Sequence, residues 1–114
     1  MGLRATAREV GTAVVVDMSG QITLGDGSAL LRKTVRGLLA ENHKNILLNL
    51  EEVNYIDSAG IGELVSVYTA AKNSGGELKL LNLSRRVRDV LQLTKLYTVF
   101  DVYTDEASAL LSFR

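Results

Sequence analysis

The sequence predicts an α/β domain built on a largely parallel sheet. Three observations support this prediction. Short apolar runs alternate with segments of helical spacing, the run from Asn45 to Leu50 is apolar and bounded by polar residues, and a Gly11-Thr12 turn joins two strand-like segments near the start. Strands that alternate with helices imply crossover connections between parallel neighbours. The turn adds an antiparallel β-hairpin, so the sheet is predicted to be mixed, with the order ββαβαβαβα.

The first half of the chain contains the hairpin, one helix and one central strand. We predict strands from Arg4 to Val10 and from Ala13 to Met18, followed by a glycine-punctuated loop over 19–27. Leucine and valine recur at helical spacing over 28–42, which predicts an amphipathic helix. The run NILLNL, residues 45–50, is typical of a strand buried on both faces.

The second half continues the alternation. A helix begins near Ser58 and ends at the Ser74-Gly75-Gly76 stop. The remaining predicted elements are, in order, a strand over 77–83, a short helix over 84–94, a strand over 99–103 and a closing helix over 104–113.

Composition excludes several classes of function. The 114 residues are 46% hydrophobic and 23% charged, which is enough for one core, and we treat residues 1–114 as a single domain. Thirteen basic and thirteen acidic residues balance, so the charge expected of a direct nucleic-acid binder is missing. The absence of cysteine and the single histidine leave no ligand set for a metal site.

Membrane and export signals are not apparent in the sequence. No apolar run approaches the roughly 20 residues that span a bilayer. The first ten residues, MGLRATAREV, lack the apolar core of a signal peptide. We therefore expect a soluble, cytoplasmic protein without membrane insertion.

Two catalytic motifs fail on inspection. Residues 20–25 have the glycine spacing of a phosphate-binding P-loop, but Asp26 stands where the lysine should be. A hydrolase nucleophile elbow needs glycine two residues before the serine, and Ile56 occupies that position before Ser58. His43, the only candidate base, is predicted at the far end of the first helix. We predict no catalytic residue, no cofactor and no enzymatic activity.

Charged clusters have ordinary interpretations. The acids Glu51, Glu52, Asp57 and Glu63 could indicate a metal site or a glycosidase-like carboxylate pair. We interpret them instead as a solvated rim, because Glu51 and Glu52 are adjacent in a predicted loop and nothing fixes the separation of two carboxylates. The run RRVR, from Arg85 to Arg88, is interpreted as a solvated helix face, with a partner-binding patch as the alternative.

The pair Asp57-Ser58 has two interpretations. Both residue types are preferred N-caps, so one of them would satisfy a free amide at the helix start. However, a cap needs only one residue, and it does not account for the small residues that follow Ser58. A phosphate on Ser58 would add a charge of about −1.5 to −2 where a helix N-terminus tolerates it, and would change the surface seen by a partner. The sequence is consistent with a cap and with a switch at this pair.

The stretch from Asn45 to Leu110 resembles the STAS domain of bacterial anti-sigma factor antagonists, also called anti-anti-sigma factors. The most diagnostic part is a strand followed by an apolar-apolar-Asp-Ser-x-Gly turn, matched by YIDSAG at 55–60. A later segment, LTKLYTVF at 93–100, supports the likeness.

This resemblance implies a partner switch. The unphosphorylated antagonist binds an anti-sigma factor that is also a serine kinase, and so frees the sigma factor. The kinase then phosphorylates the serine that matches Ser58, and a PP2C-type phosphatase resets it. The partner-binding residues implied on this chain are Thr23, Asp26, Asp57, Ser58, Ala59, Gly60, Ile61 and Gly62, with the two glycines permitting close approach. Many members carry Asp where this sequence has Thr23, so only a surface role is assigned to Thr23.

Another function within the same family is a scaffold subunit of a stressosome-like or transport-associated complex. A long N-terminal sensor domain would favour the stressosome, and a missing phosphoacceptor would favour transport. We expect neither alternative, because no sensor domain is apparent in these 114 residues and Ser58 is present.

Overall fold

A computed structural model describes residues 2–113, in which a five-stranded mixed sheet has the strand order β1-β2-β3-β4-β5. β1 is antiparallel to β2, and all other neighbours are parallel. The observed element order ββαβαβαβα confirms the predicted fold class. The strands are β1 (Leu3–Val10), β2 (Ala13–Ile22), β3 (Asn45–Ile56), β4 (Glu77–Leu81) and β5 (Val102–Tyr103). The helices are α1 (Asp26–Ala40), α2 (Ser58–Asn73), α3 (Arg85–Leu93) and α4 (Glu106–Ser112).

The two faces of the sheet carry unequal cores. Successive side chains of a strand point to opposite faces. Val14 and Val16 of β2 therefore join the large cluster under α1, α2 and α3, whereas Val15 joins a small cluster under α4. In β3, Leu48 and Leu47 divide in the same way. Within residues 2–113 we find no helix that is both long enough and apolar enough to cross a membrane.

β2 and β3 are longer than predicted. The segment 19–22 is strand and not loop, and β3 continues through Glu51 and Glu52 to Ile56, so the prediction of a loop was wrong at both places. The added residues pair with each other across two register shifts, between Asp17 and Ser19 and between Gly20 and Gln21. Such bulges interrupt the alternation of inward and outward side chains by which a strand is recognised.

The other elements match their predictions, with shifted ends. The last strand was predicted over 99–103 but includes only Val102–Tyr103. Phe100 instead inserts into the main core, where its ring lies 5.1 Å from the Tyr68 ring in an edge-on arrangement. α1 begins at Asp26, two residues before the predicted start, and α2 has its predicted bounds.

The second half of β3 has α3, and not another strand, as its neighbour on one side. The pairing of β3 with β4 ends at Asn49, whereas its pairing with β2 continues to Ile56. Ser84 caps α3 and its hydroxyl donates to the Val53 carbonyl. The Arg86 guanidinium lies over the Tyr55 ring, 4.4 Å from the centroid. The arginine run is therefore on a helix, as predicted, and one arginine of it contacts the long strand.

α4 lies on the opposite face and is held at both ends by polar contacts. At its start, Arg8 donates to the two Glu106 carboxylate oxygens at 3.0 and 2.6 Å and to Asp17 at 2.7 Å. At its end, the buried Lys79 ammonium donates to the Ser112 carbonyl and hydroxyl at 3.1 and 2.8 Å. These contacts supplement the small apolar cluster in fixing α4 on the sheet.

We expect Arg8→Gln to destabilise the protein in a pH-dependent way. Hydrogen bonds from Arg8 are the main cause that lowers the pKa of Asp17 and of Glu106 below the ordinary range. Acids with a depressed folded pKa stabilise the fold above their unfolded pKa, about 3.9 for Asp and 4.3 for Glu. That contribution is lost as the pH falls through the lower folded pKa. Because these side chains are 36 to 40% exposed, we expect an effect of about 1 kcal/mol or less at neutral pH.

Thermal unfolding from about pH 7 to about pH 3 checks this expectation. The difference in Tm between the wild type and Arg8→Gln should narrow below about pH 4. Arg4→Gln, on the same strand, is the matched control. If the difference in Tm between the wild type and Arg8→Gln stays constant with pH, the hydrogen bonds from Arg8 to Asp17 and Glu106 are not the source of the stabilisation.

Candidate functional site

Asp57 links the start of α2 to the loop that follows β2. It is the N-cap of α2, and its Oδ1 accepts a hydrogen bond from the Gly60 N–H at 2.8 Å. Its Oδ2 accepts from the Leu24 N–H at 3.0 Å. The Asp57 N–H in turn donates to the Ile22 carbonyl at 3.3 Å. One side chain therefore caps the helix and fixes the neighbouring loop.

These contacts keep the Asp57 carboxylate ionised. The N–H of Gly60, and next the N–H of Leu24, lower the pKa of Asp57 below its ordinary range. A carboxylate that accepts backbone N–H groups is stabilised in its charged form. The cap interpretation of Asp57 from the sequence is thus confirmed, and Ser58 is left without a capping role.

Ser58 is the first residue of α2 and is exposed. Its hydroxyl has no hydrogen-bond partner within residues 2–113. Ala59 beside it is half-buried, and Gly62 one turn further is exposed, with open space where a Cβ would lie. The start of α2 therefore exposes Ser58 among small side chains.

The first turn of α2 packs closely on the end of β2. A Cβ on Gly60 would overlap the Ile22 carbonyl oxygen and lie 2.8 Å from the Ile56 Cγ1. Gly60 is buried, and Ile61 is 7% exposed within the main core. The close approach that Gly60 permits is therefore made within the chain. Gly60 and Ile61 shape the surface from beneath, and their role in partner binding stays a prediction.

The predicted loop residues lie across from the start of α2. Thr23 is half-buried, and its carbonyl accepts from the Ser28 N–H at 2.9 Å and the Ser28 hydroxyl at 2.8 Å. Asp26 is exposed as the first residue of α1. The structure thus brings the segment from Thr23 to Asp26 and the pair Asp57-Ser58 together through the contact between Leu24 and Asp57.

Two features of the site were not found from the sequence. Leu24 is 80% exposed although it is apolar. Glu63, interpreted as part of a solvated rim, has a side chain only 9% exposed and pairs with Arg32 of α1 at 2.9 Å, so that interpretation was wrong for Glu63. An isolated leucine beside glycine has no periodicity that indicates its direction. The Arg32 and Glu63 pair joins residues 31 positions apart, which local spacing does not reveal.

Enzymatic alternatives have no support in this geometry. His43 precedes β3 and Ser58 follows it, so the two residues lie at opposite ends of a strand of 12 residues and do not pair. Asp26 begins a helix in the loop whose glycine spacing matched a P-loop, and an acid there would repel a phosphate. Among residues 2–113 no group of three or more histidine, aspartate or glutamate side chains is placed to hold a metal ion.

The fold and the site define an α/β domain that presents an exposed serine where its central parallel strand ends. Residues 4–109 match the STAS domain family model. The anti-sigma-B factor antagonist of Bacillus subtilis (strain 168) is 30% identical over 102 residues, which are 90% of this chain and 92% of that protein. The chain therefore belongs to the STAS domain family, and the resemblance seen in the sequence is confirmed.

Solved structures show the same fold. The crystal structure of an anti-sigma factor antagonist from Mycobacterium paratuberculosis matches with a TM-score of 0.83 at 20% identity, over 96% of this chain and 92% of that chain. The Bacillus cell fate determinant SpoIIAA in its phosphorylated form matches with a TM-score of 0.72 at 21% identity, over 94% of this chain and 96% of that chain.

Proposed function

We propose that this protein is an anti-sigma factor antagonist that is switched by phosphorylation of Ser58. The unmodified protein binds an anti-sigma factor that is also a serine kinase, and so frees the sigma factor. Transfer of the ATP γ-phosphoryl group to the Ser58 hydroxyl, with ADP as the leaving group, ends that binding. A PP2C-type phosphatase removes the phosphate. The main support is the exposed Ser58 at the start of α2, in a chain similar to an anti-sigma-B factor antagonist.

The local contacts suit Ser58 as a phosphoacceptor. Both Asp57 carboxylate oxygens already accept backbone N–H groups, so Asp57 fixes the helix start without binding the serine hydroxyl. The hydroxyl is thus available to the catalytic base of a kinase, which must come within hydrogen-bond reach of it. Catalysis then resides in the kinase and the phosphatase, and this protein acts by binding. Because the kinase needs ATP, the proposed switch operates in the cytoplasm.

A phosphate on Ser58 is compatible with the fold but changes the surface. The free amides and the dipole at the start of α2 favour an added negative charge. The Bacillus protein of the same fold has been solved in a phosphorylated form, which supports this compatibility. However, the phosphate would lie next to the ionised Asp57, on the surface that includes Thr23, Asp26, Ala59 and Gly62. Added charge and bulk there would repel a partner that fits the unmodified serine.

Phosphorylation in vitro tests this proposal. The purified protein is incubated with candidate anti-sigma factor kinases of the same genome, ATP and magnesium, and the modified residue is mapped by mass spectrometry. We expect one phosphate on Ser58, none on Ser58→Ala, and a normal yield on Ser74→Ala. Ser74 is exposed at the other end of α2 and is the matched control.

The same mixtures give the effect on binding. Complexes should form before phosphorylation and dissociate after it, as seen by size-exclusion chromatography. Stable complexes that never acquire phosphate on Ser58 would contradict the switch and favour a scaffold subunit.

A further inference from the structure

Leu24 is an exposed apolar side chain on a loop that the structure holds in place. The side chain is 80% exposed, in contrast to Ile22 two residues before it, which is fully buried. Its backbone N–H donates to the Asp57 Oδ2 at 3.0 Å. The side chain gains little from the fold by burial and is free to be buried by another molecule. Leu93 and Leu111 are exposed to the same degree, so what distinguishes Leu24 is its fixed position beside Asp57.

The loop around Leu24 is fixed on both sides. Before it, the Thr23 carbonyl accepts two hydrogen bonds from Ser28. After it, Gly27 is buried, and a Cβ there would lie 2.5 Å from the Gln21 carbonyl oxygen. A side chain presented by a fixed backbone loses little conformational freedom on binding, which favours affinity. This distinguishes Leu24 from a leucine on a loose terminus.

Leu24 and Ser58 belong to one surface. The carboxylate of Asp57 contacts the Leu24 backbone, and Ser58 follows Asp57 directly. Leu24 and Ser58 are therefore on neighbouring segments, and a partner of ordinary interface size that covers Ser58 is large enough to contact Leu24 as well. A phosphate on Ser58 would be brought beside an apolar contact, where removal of its hydration is unfavourable.

From this geometry we infer that Leu24 is the apolar anchor by which the unmodified protein binds its anti-sigma partner, inserting into an apolar pocket of that partner. Asp57 is a positioning residue, because its carboxylate holds the Leu24 backbone beside the start of α2. This inference rests on the proposed function, and it assigns to the surface a residue that contributes affinity independently of the phosphoacceptor.

Substitution of Leu24 tests the anchor. We expect Leu24→Ala, in its unphosphorylated form, to bind the anti-sigma factor about 10- to 30-fold more weakly, an effect just below that of a typical interface hot spot. Leu24→Met, which keeps the apolar volume, should remain within about threefold of the wild type. Leu111→Ala is the matched control, because Leu111 is 85% exposed on α4, which lies on the other face of the sheet. Titration calorimetry gives the affinities, and thermal unfolding confirms that each variant is folded.

A double-mutant cycle tests the positioning role of Asp57. Asp57→Asn places an amide, which donates, where the Leu24 N–H needs an acceptor. If Asp57 acts through Leu24, Asp57→Asn should weaken binding several-fold in the wild type and much less in the Leu24→Ala protein. A role confined to capping α2 predicts equal losses in both proteins and would overturn the positioning assignment.

The outcomes separate this inference from the proposed function. If Leu24→Ala binds within twofold of the wild type while phosphorylation of Ser58 still abolishes binding, the anchor is wrong and the switch stands. A wild type that binds no anti-sigma factor overturns both. Loss of self-association in Leu24→Ala with unchanged partner affinity would assign the leucine to a second copy of the chain, and would also overturn the inference.

Discussion

Gly60→Ala should lower the free energy of unfolding by about 2 to 4 kcal/mol, the upper range for an inserted methyl group that cannot be accommodated. The new Cβ would overlap the carbonyl oxygen of Ile22, which belongs to a paired strand, and would crowd the Ile56 side chain. Neither neighbour is the far end of a flexible side chain exposed to solvent. The start of α2 would therefore have to move away from β2, and the contact between the Asp57 N–H and Ile22 would be lost with it.

Gly62→Ala is the matched control for this prediction. It adds the same methyl group two residues further along α2, where nothing lies within 4 Å of the new atom. We expect it to be neutral or to stabilise the helix by about 0.5 to 1 kcal/mol, because glycine is a poor helix residue. Urea denaturation followed by circular dichroism measures both variants. Equal effects of the two substitutions would show that the helix start does not depend on its packing against Ile22.

Phosphorylation of Ser58 is expected to have the largest effect on binding. We expect affinity for the anti-sigma partner to fall by at least about 100-fold, since like charges and a desolvated phosphate in an interface cost several kcal/mol. Ser58→Asp carries less charge and less bulk, and should lose roughly tenfold. Ser58→Ala should bind like the wild type. The Tm of the phosphorylated protein should not fall, because an anion at a helix N-terminus is favourable by about 0.3 to 1 kcal/mol.

Thr69→Asp tests whether the loss of binding in Ser58→Asp depends on where the negative charge is placed or only on its presence. Thr69 is exposed on the same helix but near its other end. Calorimetric titration of a purified anti-sigma partner with each protein gives the comparison. We expect Thr69→Asp to bind normally. A loss equal to that of Ser58→Asp would mean that net charge, and not occupation of the Ser58 surface, controls binding.

The sequence was sufficient to predict elements with a regular period. α2 shows helical spacing from Ser58 to its stop at Ser74, and its observed bounds agree with that spacing. The second half of β3 was missed for a physical reason. Glu51 and Glu52 are successive and both exposed, because the register shifts place extra residues in β3 and disturb the alternation expected of a strand.

Only those features of the candidate site that depend on residues close in sequence could be predicted. Asp57 as an N-cap depends on residues within one helical turn, so residue preferences indicate it. The contact between Asp57 and Leu24 joins residues 33 positions apart and depends on how β2 and β3 end side by side. The burial of Gly60 depends on the same meeting of strands. Long-range contacts of this kind determine which of the small residues near Ser58 face outward, and a single sequence does not contain that information.

The length of β3 has a consequence for self-association. From residue 50 onward, one side of this strand has no strand neighbour, and an open edge with free backbone donors and acceptors can pair with an edge of another copy. Here α3 occupies that side. The Ser84 hydroxyl donates to the Val53 carbonyl, and the Arg86 guanidinium covers the Tyr55 ring. The helix therefore protects the long strand that leads to Ser58 from aggregation by edge-to-edge sheet growth.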